Sequence, residues 1–251
     1  MSSYVYGVIP AADAHDWPGA DGIGGPVHAV VEGDLAALVS ELPEDVTPGK
    51  PQDLEAHRRV LAQAIKRGTV VPIRFGMVMD DEDVVRERLL SAHEDQLGEL
   101  LDTLDGHVQM SVRALYAEDA LLQAAVASND EIARRSAAIA GLPELDSRPE
   151  RIALGELVAK AVEERRARDE EVLLERLRPL ANDVRVSEPG SERVALEAQL
   201  LVDRDRRPAL DAAVAELGPA LEGYLALRYI GPLPPYSFSE LELESGVSGG
   251  H

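Results

Sequence analysis

The sequence predicts an α+β protein with two domains, the second a modified ferredoxin-like unit with a long helix. Short β-rich runs bounded by glycine and proline alternate with stretches whose apolar residues recur at helical spacing. The second half has the order strand, helical region, strand, strand, helix, strand, which is that of a βαββαβ unit. We therefore predict an α+β domain over residues 1–105, a ferredoxin-like domain with a helical insertion over 106–238, and a flexible acidic, Gly/Ser-rich tail over 239–251.

Strands open the first predicted domain. A turn at residues 32–34, with sequence EGD, joins the second and third runs and predicts a hairpin. Pro72 interrupts the fourth run, which indicates an edge strand, a bulge or an irregular strand. The chain is expected to stay extended over residues 76–79. The four runs are residues 4–9, 27–31, 35–42 and 69–75.

Two helices are predicted in the same domain. Asp53 can cap the first, whose apolar residues recur at helical intervals as far as Ile65 and which ends at Gly68. The acidic run at 80–83 opens the second, because carboxylates in a first turn interact favourably with the helix dipole. Its apolar face includes Val84, Leu89 and Leu97.

The second predicted domain begins with a strand at residues 107–116, where apolar Val108, Met110 and Val112 alternate with polar residues. One long helix is predicted over residues 151–182, with an interruption at most near Pro179. The remaining elements are a helical region at 117–140, strands at 183–187, 194–203 and 224–230, and a helix at 208–221.

The middle of the long helix, residues 163–171, is almost entirely charged. A solvated helix that projects from the body is the interpretation we favour, although a coiled-coil partner remains an alternative. Charges four residues apart on a helix can form pairs. The predicted pairs are Glu164–Arg168 and Arg165–Asp169.

The net charge excludes some classes of partner. The chain has 25 Lys and Arg against 46 Asp and Glu, a formal charge of −21, which disfavours nucleic acids and anionic membranes. Acidity can serve solubility alone or partner choice, and the sequence leaves both open. The N-terminus lacks the features of a signal peptide, and no apolar run approaches the roughly 18 residues of a membrane span. These features predict a cytoplasmic protein.

The sequence contains no pattern that calls for catalysis or a cofactor. With no cysteine, disulfides and thiolate sites are excluded. The glycine-rich stretches at 22–27 and 49–51 lack the spacing of a phosphate-binding loop, and no GxSxG occurs. No two histidines lie four residues apart as helical metal ligands would. Each is interpreted as a surface or core histidine: His15, His28, His57, His93, His107 and His251.

Two segments stand out. In VVPIRFG at 70–76, Arg74 interrupts an apolar run, so its charge either faces solvent from a half-buried strand or meets a partner. In GPLPPYSF at 231–238, a diproline stiffens the chain beside two of its few aromatic residues. This segment either packs over the second domain's core or offers a rigid apolar contact. The candidate contact residues are Arg74, Phe75, Pro234, Pro235, Tyr236 and Phe238.

Four segments resemble the gas vesicle F/L family (GvpF/GvpL). YVYGVI at 4–9 is similar to that family's first strand, VPIRFG at 71–76 to its central signature, and LVDR at 201–204 to a Y-L-V-D-R-like segment. GPLPPYSF at 231–238 resembles its terminal G-P-x-P-P-Y-S-F motif. The four occur in the family's order and span nearly the whole chain.

The resemblance implies a two-domain α+β fold and a non-enzymatic role in building a gas-filled protein shell. The protein would be a minor shell component or a chaperone-like assembly factor at the gas vesicle. Its implied partners are the small, hydrophobic main shell protein (GvpA) and other accessory proteins, without nucleic acid, membrane or cofactor. Two alternatives stay open. One is a ligand-sensing ferredoxin-like regulatory module, and the other is an enzyme, whose active-site pocket cannot be recognised from the sequence.

Overall fold

The computed structural model describes residues 1–14, 21–43, 46–143 and 147–241. The chain forms two compact units, Met1–Gln109 with the segment that begins at Gly231, and Met110–Ile230. Both contain strands and helices, which confirms the predicted α+β class. Within the described ranges, no helix combines the length and the apolar character that a membrane crossing needs. His15, His251 and the predicted tail beyond residue 241 lie outside these ranges.

A five-stranded sheet forms the centre of the first unit. Its order is β2-β3-β1-β4, with β5 also paired to β1, and all the pairs are antiparallel. The predicted hairpin is present: Glu32 lies opposite Leu35, and Gly33 has a φ of 56°, which suits glycine in a tight turn. The strands are β1 Ser2–Pro10, β2 Val27–Glu32, β3 Leu35–Leu42, β4 Val71–Pro72 and β5 Val78–Met79.

Gly7 allows a close approach within this unit. The register of β1 against β3 shifts between Val5 and Gly7, as in a β-bulge. A Cβ at Gly7 would lie 2.9 Å from Val70 Cγ2 and 3.0 Å from Leu61 Cδ2. The glycine therefore lets the first strand pack directly against its neighbours.

The strand predicted at 69–75 is much shorter in the structure. Regular pairing covers only β4, and the Ile73 N–H then donates to the Tyr6 carbonyl at 2.9 Å. The chain turns at Phe75 and Gly76, where φ is 98° at the glycine. Because Pro72 has no N–H and Gly76 adopts a left-handed conformation, the run is the irregular strand that Pro72 indicated.

Helices cover both faces of this sheet. The first, α1 Pro51–Arg67, packs on the face of Tyr4 and Tyr6. A short helix, α2 Glu82–Val84, continues into a π-helix at Val85–Ser91, and α3 Glu94–Leu104 follows; the last two contact β3. The single helix predicted from residue 80 is therefore interrupted, because His93 has non-helical dihedrals (φ −122°, ψ 22°).

The second unit is built around a four-stranded sheet of order β7-β8-β6-β9. The chain passes from β6 through helices to β7 and β8, then through α7 to β9, which is the predicted element order. The predicted helical region at 117–140 divides in two, since the Asn129 side chain accepts from the Glu131 and Ile132 N–H groups and caps a new helix. The strands are β6 His107–Tyr116, β7 Asp183–Val186, β8 Val194–Asp203 and β9 Leu225–Leu233, and the helices are α4 Ala120–Ala127, α5 Asp130–Ile139, α6 Arg148–Leu177 and α7 Arg207–Ala220.

The long helix α6 ends as expected near Pro179, where a 3-10 turn spans Arg178–Leu180. Of the two predicted charge pairs, Arg165–Asp169 is present at 2.9 Å, whereas Glu164 lies 3.8 Å from Lys160 instead of pairing with Arg168. Most of the charged stretch at 163–171 is in contact with solvent, as predicted, but Asp169 is an exception at only 8% exposed.

The C-terminal segment groups with the first unit, although we had placed residues 231–238 in the second domain. A 3-10 turn forms at Tyr236–Phe238, and the Ser237 N–H donates to Gln109 Oε1 at 3.0 Å. The Tyr236 hydroxyl is bonded to His57 of α1. These bonds hold the segment to residues of the first unit. Their partners are 128 and 179 positions apart in the chain, so local sequence patterns do not reveal these contacts.

Candidate partner-contact site around His57

A buried histidine lies between the two segments singled out from the sequence. His57 is 1% exposed, its Nδ1 lies 3.0 Å from the Tyr4 hydroxyl, and its Nε2 lies 2.9 Å from the Tyr236 hydroxyl. Its ring stacks with that of Tyr6 and meets that of Phe75 edge-on. These five residues, Tyr4, Tyr6, His57, Phe75 and Tyr236, form what we call the His57 cluster.

Local sequence explains how β1 and α1 contribute to the cluster. Tyr4 and Tyr6 are two positions apart on β1, so both side chains face the same side of the sheet. His57 lies on the buried face of α1 with Val60 and Leu61, at the three- and four-residue intervals of a helix. The face that buries the helix against the sheet therefore also places the imidazole against both tyrosines.

The Tyr6 hydroxyl is fully engaged in the fold. It accepts from the Ile23 N–H at 2.6 Å and lies 2.8 Å from Ser40 Oγ, which itself donates to the Ile23 carbonyl. Burial raises the pKa of Tyr6, and the bonds to Ser40 and Ile23 oppose that rise. Tyr6 therefore connects the cluster to the buried core and is not available at the surface.

The segment at 71–76 reaches the cluster through its turn. The Gly76 N–H donates to the Tyr4 hydroxyl at 3.0 Å, and the Phe75 ring centroid lies 5.7 Å from that of His57. Phe75 is half-buried against the core, while Arg74 is exposed just beyond β4. The charge of Arg74 is therefore in water, in agreement with the solvent-facing alternative, beside an aromatic ring that is partly covered.

The segment at 231–238 divides into buried and surface residues. Pro235 and Phe238 are buried, Pro234 is half-buried, and Tyr236 is 37% exposed. Of the six predicted contact residues, Pro235 and Phe238 therefore have little surface available to a partner. The four that are exposed or partly exposed to solvent are Arg74, Phe75, Pro234 and Tyr236.

The titratable groups of the cluster are neutral near pH 7. Burial lowers the pKa of His57 to about 4, and a backbone hydrogen bond with Ile73 opposes that shift. Burial raises the pKa of Tyr236 to about 12, opposed by the charge of Arg58, and burial also raises the pKa of Tyr4. A general acid or base works best with a pKa near the operating pH. The cluster therefore has the electrostatics of a packing and hydrogen-bonding centre.

Sequence reasoning did not assign Tyr4, Tyr6 or His57 to the site. One signal was available: His57 shares the apolar helical spacing of its neighbours, which places it on the buried face of α1. A buried imidazole needs hydrogen-bond partners, so polar side chains had to be near. Their identity depended on tertiary contacts across 53 and 179 positions of chain.

The second unit has a separate buried polar cluster. Asp169 Oδ2 accepts from the Tyr116 hydroxyl at 3.0 Å and from the Tyr224 hydroxyl, and Arg165 Nε donates to Oδ1. The Arg165 guanidinium also lies over the Tyr224 ring, 5.0 Å from its centroid. These satisfied bonds attach α6 to residues of β6 and of the turn before β9. Within the part of the chain that is described, no group of three or more His, Asp or Glu is arranged to hold a metal ion.

The chain matches known proteins over nearly its whole length. The family model described as gas vesicle synthesis protein GvpL/GvpF matches residues 2–240. Gas vesicle protein F of Streptomyces sp. (strain CB03234) is 41% identical over 249 residues, covering 96% of this chain and 100% of that protein. Gas vesicle protein F of Dolichospermum flosaquae is 26% identical over 243 residues, covering 95% and 98%.

Solved structures agree with the sequence comparisons. The crystal structure of gas vesicle protein GvpF from Anabaena sp. PCC7120 superposes with a TM-score of 0.84 at 26% identity, covering 96% of this chain and 98% of that one. For GvpF from Microcystis aeruginosa the TM-score is 0.79 at 26% identity, with 96% and 99% covered. The resemblance noted in the four motifs is thereby confirmed, and the chain belongs to the GvpL/GvpF family of gas vesicle synthesis proteins.

Proposed function

We propose that this protein acts without catalysis in gas vesicle formation, as a minor shell component or chaperone-like factor that binds the hydrophobic main shell protein. Membership of a gas vesicle protein family supports the process, and we place the protein at the gas vesicle in the cytoplasm. One structural observation supports a contact role: the two motif segments converge on His57. Their convergence places Phe75 and Tyr236 against one buried histidine, and Arg74 and Pro234 lie close to them in the chain.

The His57 cluster suits a contact surface because it holds the Tyr236 and Phe75 side chains in place before a partner binds. Tyr236 is held through its hydroxyl, and Phe75 is held by the His57 and Tyr4 rings. Aromatic side chains that are rigid before binding lose little conformational entropy in a complex. Aromatic and arginine residues are also the types that dominate binding energy at interfaces.

The charge of the protein fits the same role. With a net charge of −21, copies of this protein repel one another and stay in solution, even when each has bound an apolar shell subunit. An apolar shell subunit that is covered on one side would stay in solution until it is added to the wall. The proposal therefore assigns solubilisation to the acidic surface and recognition to the residues around His57.

Co-expression with the main shell protein tests recognition. We expect a soluble complex with the parent protein, and a weaker one with Arg74→Ala or Tyr236→Ala. Arg168→Ala is the matched control, because Arg168 is also exposed but lies on α6 of the second unit. Equal binding by the folded Arg74→Ala and Tyr236→Ala variants would remove these residues from the contact.

Charge neutralisation tests solubilisation separately. α3 has four exposed carboxylates that can be changed to amides with little change in shape: Glu94, Asp95, Glu99 and Asp102. The proposal expects less shell protein in the soluble fraction with this quadruple variant. Unchanged solubility of the shell protein would show that the acidic surface has no part in its handling.

A further inference from the structure

Apolar side chains of α1 and of the two motif segments are partly exposed around His57, among the residues that the structure describes. Leu54 of α1, one helical turn before His57, is 45% exposed, and Tyr236 is 37% exposed. Phe75 is half-buried between the His57 ring and solvent. Large apolar side chains that remain in contact with water around a rigid centre are typical of an interaction surface.

Two arginines accompany these apolar residues. Arg58 follows His57 in α1, is exposed, and lies near enough to Tyr236 for its charge to act on that hydroxyl. Arg74 directly precedes Phe75 and is also exposed. Among the residues that the structure describes, neither guanidinium has a carboxylate within 4.0 Å. In a chain with 46 acidic residues, two cations beside one apolar surface therefore remain available.

The acidic residues that precede Arg58 in α1 do not neutralise it. The Asp53 carboxylate accepts from the N–H groups of Gly49 and Lys50 at 3.0 and 2.9 Å, so it serves the start of α1. Those two bonds lower the pKa of Asp53 and keep it charged for that purpose. Glu55 is exposed three positions before Arg58 but forms no ion pair with it.

We infer that this surface, which we call the Tyr236 surface and define as Leu54, Arg58, Arg74, Phe75 and Tyr236, binds an apolar segment that carries a carboxylate. The inference rests on the proposed function, since the segment would belong to the main shell protein. The apolar side chains of that segment would cover the aromatic residues, and its carboxylate would accept from a guanidinium.

The two guanidinium groups suit this surface to a carboxylate. A guanidinium presents donors in a planar fork that matches a carboxylate, so it gives orientation as well as attraction. The net charge of the chain repels a segment that carries negative charge. A carboxylate on the partner would therefore select this surface and disfavour non-productive contacts.

Overlapping peptides that span the main shell protein test the inference, with binding measured by fluorescence anisotropy at low and high salt. The test variant is Arg58→Glu with Arg74→Glu. Its matched control is Arg168→Glu with Arg228→Glu, which changes the net charge equally at exposed arginines of the second unit. Circular dichroism establishes that both variants are folded.

We expect the peptides that bind to contain a carboxylate beside apolar residues. The test variant should weaken their binding roughly tenfold or more, and the control by less than about twofold. Replacing the peptide's Glu by Gln, or its Asp by Asn, should weaken binding of the parent protein to a similar degree, and high salt should reduce the difference.

Four results would overturn the inference. An equal loss of peptide affinity in the test and control variants would mean that binding responds only to the net charge of the protein. If the peptides that bind most tightly contain no carboxylate, the carboxylate has no role in recognition. If the full-length shell protein co-purifies but the reversals at Arg58 and Arg74 have no effect, this inference fails while the proposed function stands. If the shell protein binds the parent neither whole nor as peptides, both fail.

Discussion

Replacing Tyr4 with phenylalanine isolates one hydroxyl at the centre of the His57 cluster. The ring and its edge contacts to Tyr6 and His57 are kept, but two hydrogen bonds are lost. One of these leaves His57 Nδ1, in a side chain only 1% exposed, without its tyrosine partner. The other frees the N–H of Gly76, which is exposed and can bond to water.

The magnitude follows from that difference in burial. A buried polar group left without a partner costs about 1–3 kcal/mol of folding free energy, while a group that water can reach costs little. We therefore expect Tyr4→Phe to destabilise the protein by about 1–3 kcal/mol. Tyr236→Phe leaves Nε2 of the same buried imidazole without its tyrosine partner, so a loss of about 1–3 kcal/mol is expected there as well.

Urea unfolding followed by far-ultraviolet circular dichroism measures both changes. Hydrogen exchange at the Gly76 amide gives a local measurement, and it should be faster in Tyr4→Phe because the acceptor is gone. A free energy of unfolding for Tyr4→Phe within about 0.5 kcal/mol of that of the parent protein would refute this prediction.

Three further predictions follow from the structure. His57 stays neutral in the folded state with a pKa of about 4 against 6.5, so its stabilising contribution is fully present above pH 6.5 and is lost as pH falls through about 4. Roughly 3 kcal/mol of pH-dependent stability should therefore be missing from His57→Gln, and parallel curves for the two proteins would contradict this. Asp169→Asn should destabilise the second unit by about 2–4 kcal/mol because the Arg165 charge then lacks its buried partner, against less than about 0.5 kcal/mol for Glu171→Gln in an exposed pair; similar melting temperatures for both variants would count against a structural role for Asp169. Gly7→Ala should cost about 1–3 kcal/mol, since its Cβ would meet Val70 at 2.9 Å, and denaturant unfolding that matches the parent would show that the strand can move aside.

Local patterns predict most of the first sheet and the helix order of the second unit. The hairpin at Gly33 follows from turn chemistry, and the end of α6 follows from Pro179. The division of the helical region at Asn129 had a signal in the sequence, because asparagine is a strong helix cap, but the Ala-rich composition concealed it. The short pairing of β4 was indicated by Pro72, although its length was overestimated.

The contacts that assemble the site are not local, which is why they were missed. His57 meets Tyr4 and Tyr236 only after the chain has folded, across 53 and 179 positions. Asp169 has the same composition around it as its solvated neighbours, and only tyrosines far away in the chain make it buried. Charged residues on helices are usually exposed, and they are buried only where hydrogen-bond or ion-pair partners are present.

The placement of the C-terminal segment illustrates the same limit. The diproline of residues 231–238 predicts a stiff segment, and one alternative was that it packs over a core, but composition cannot say on which unit it packs. Grouping with the first unit follows from specific bonds, Tyr236 to His57 and Ser237 to Gln109. Tyr236 consequently contacts the same histidine as Phe75 of the segment at 71–76.

Co-purification of the parent protein with the main gas vesicle shell protein tests the central claim most directly. The account predicts a soluble complex of defined stoichiometry that Arg74→Ala or Tyr236→Ala weakens and Arg168→Ala does not. Recovery of well-folded protein with no shell protein attached, under co-expression in the same cells, would contradict it.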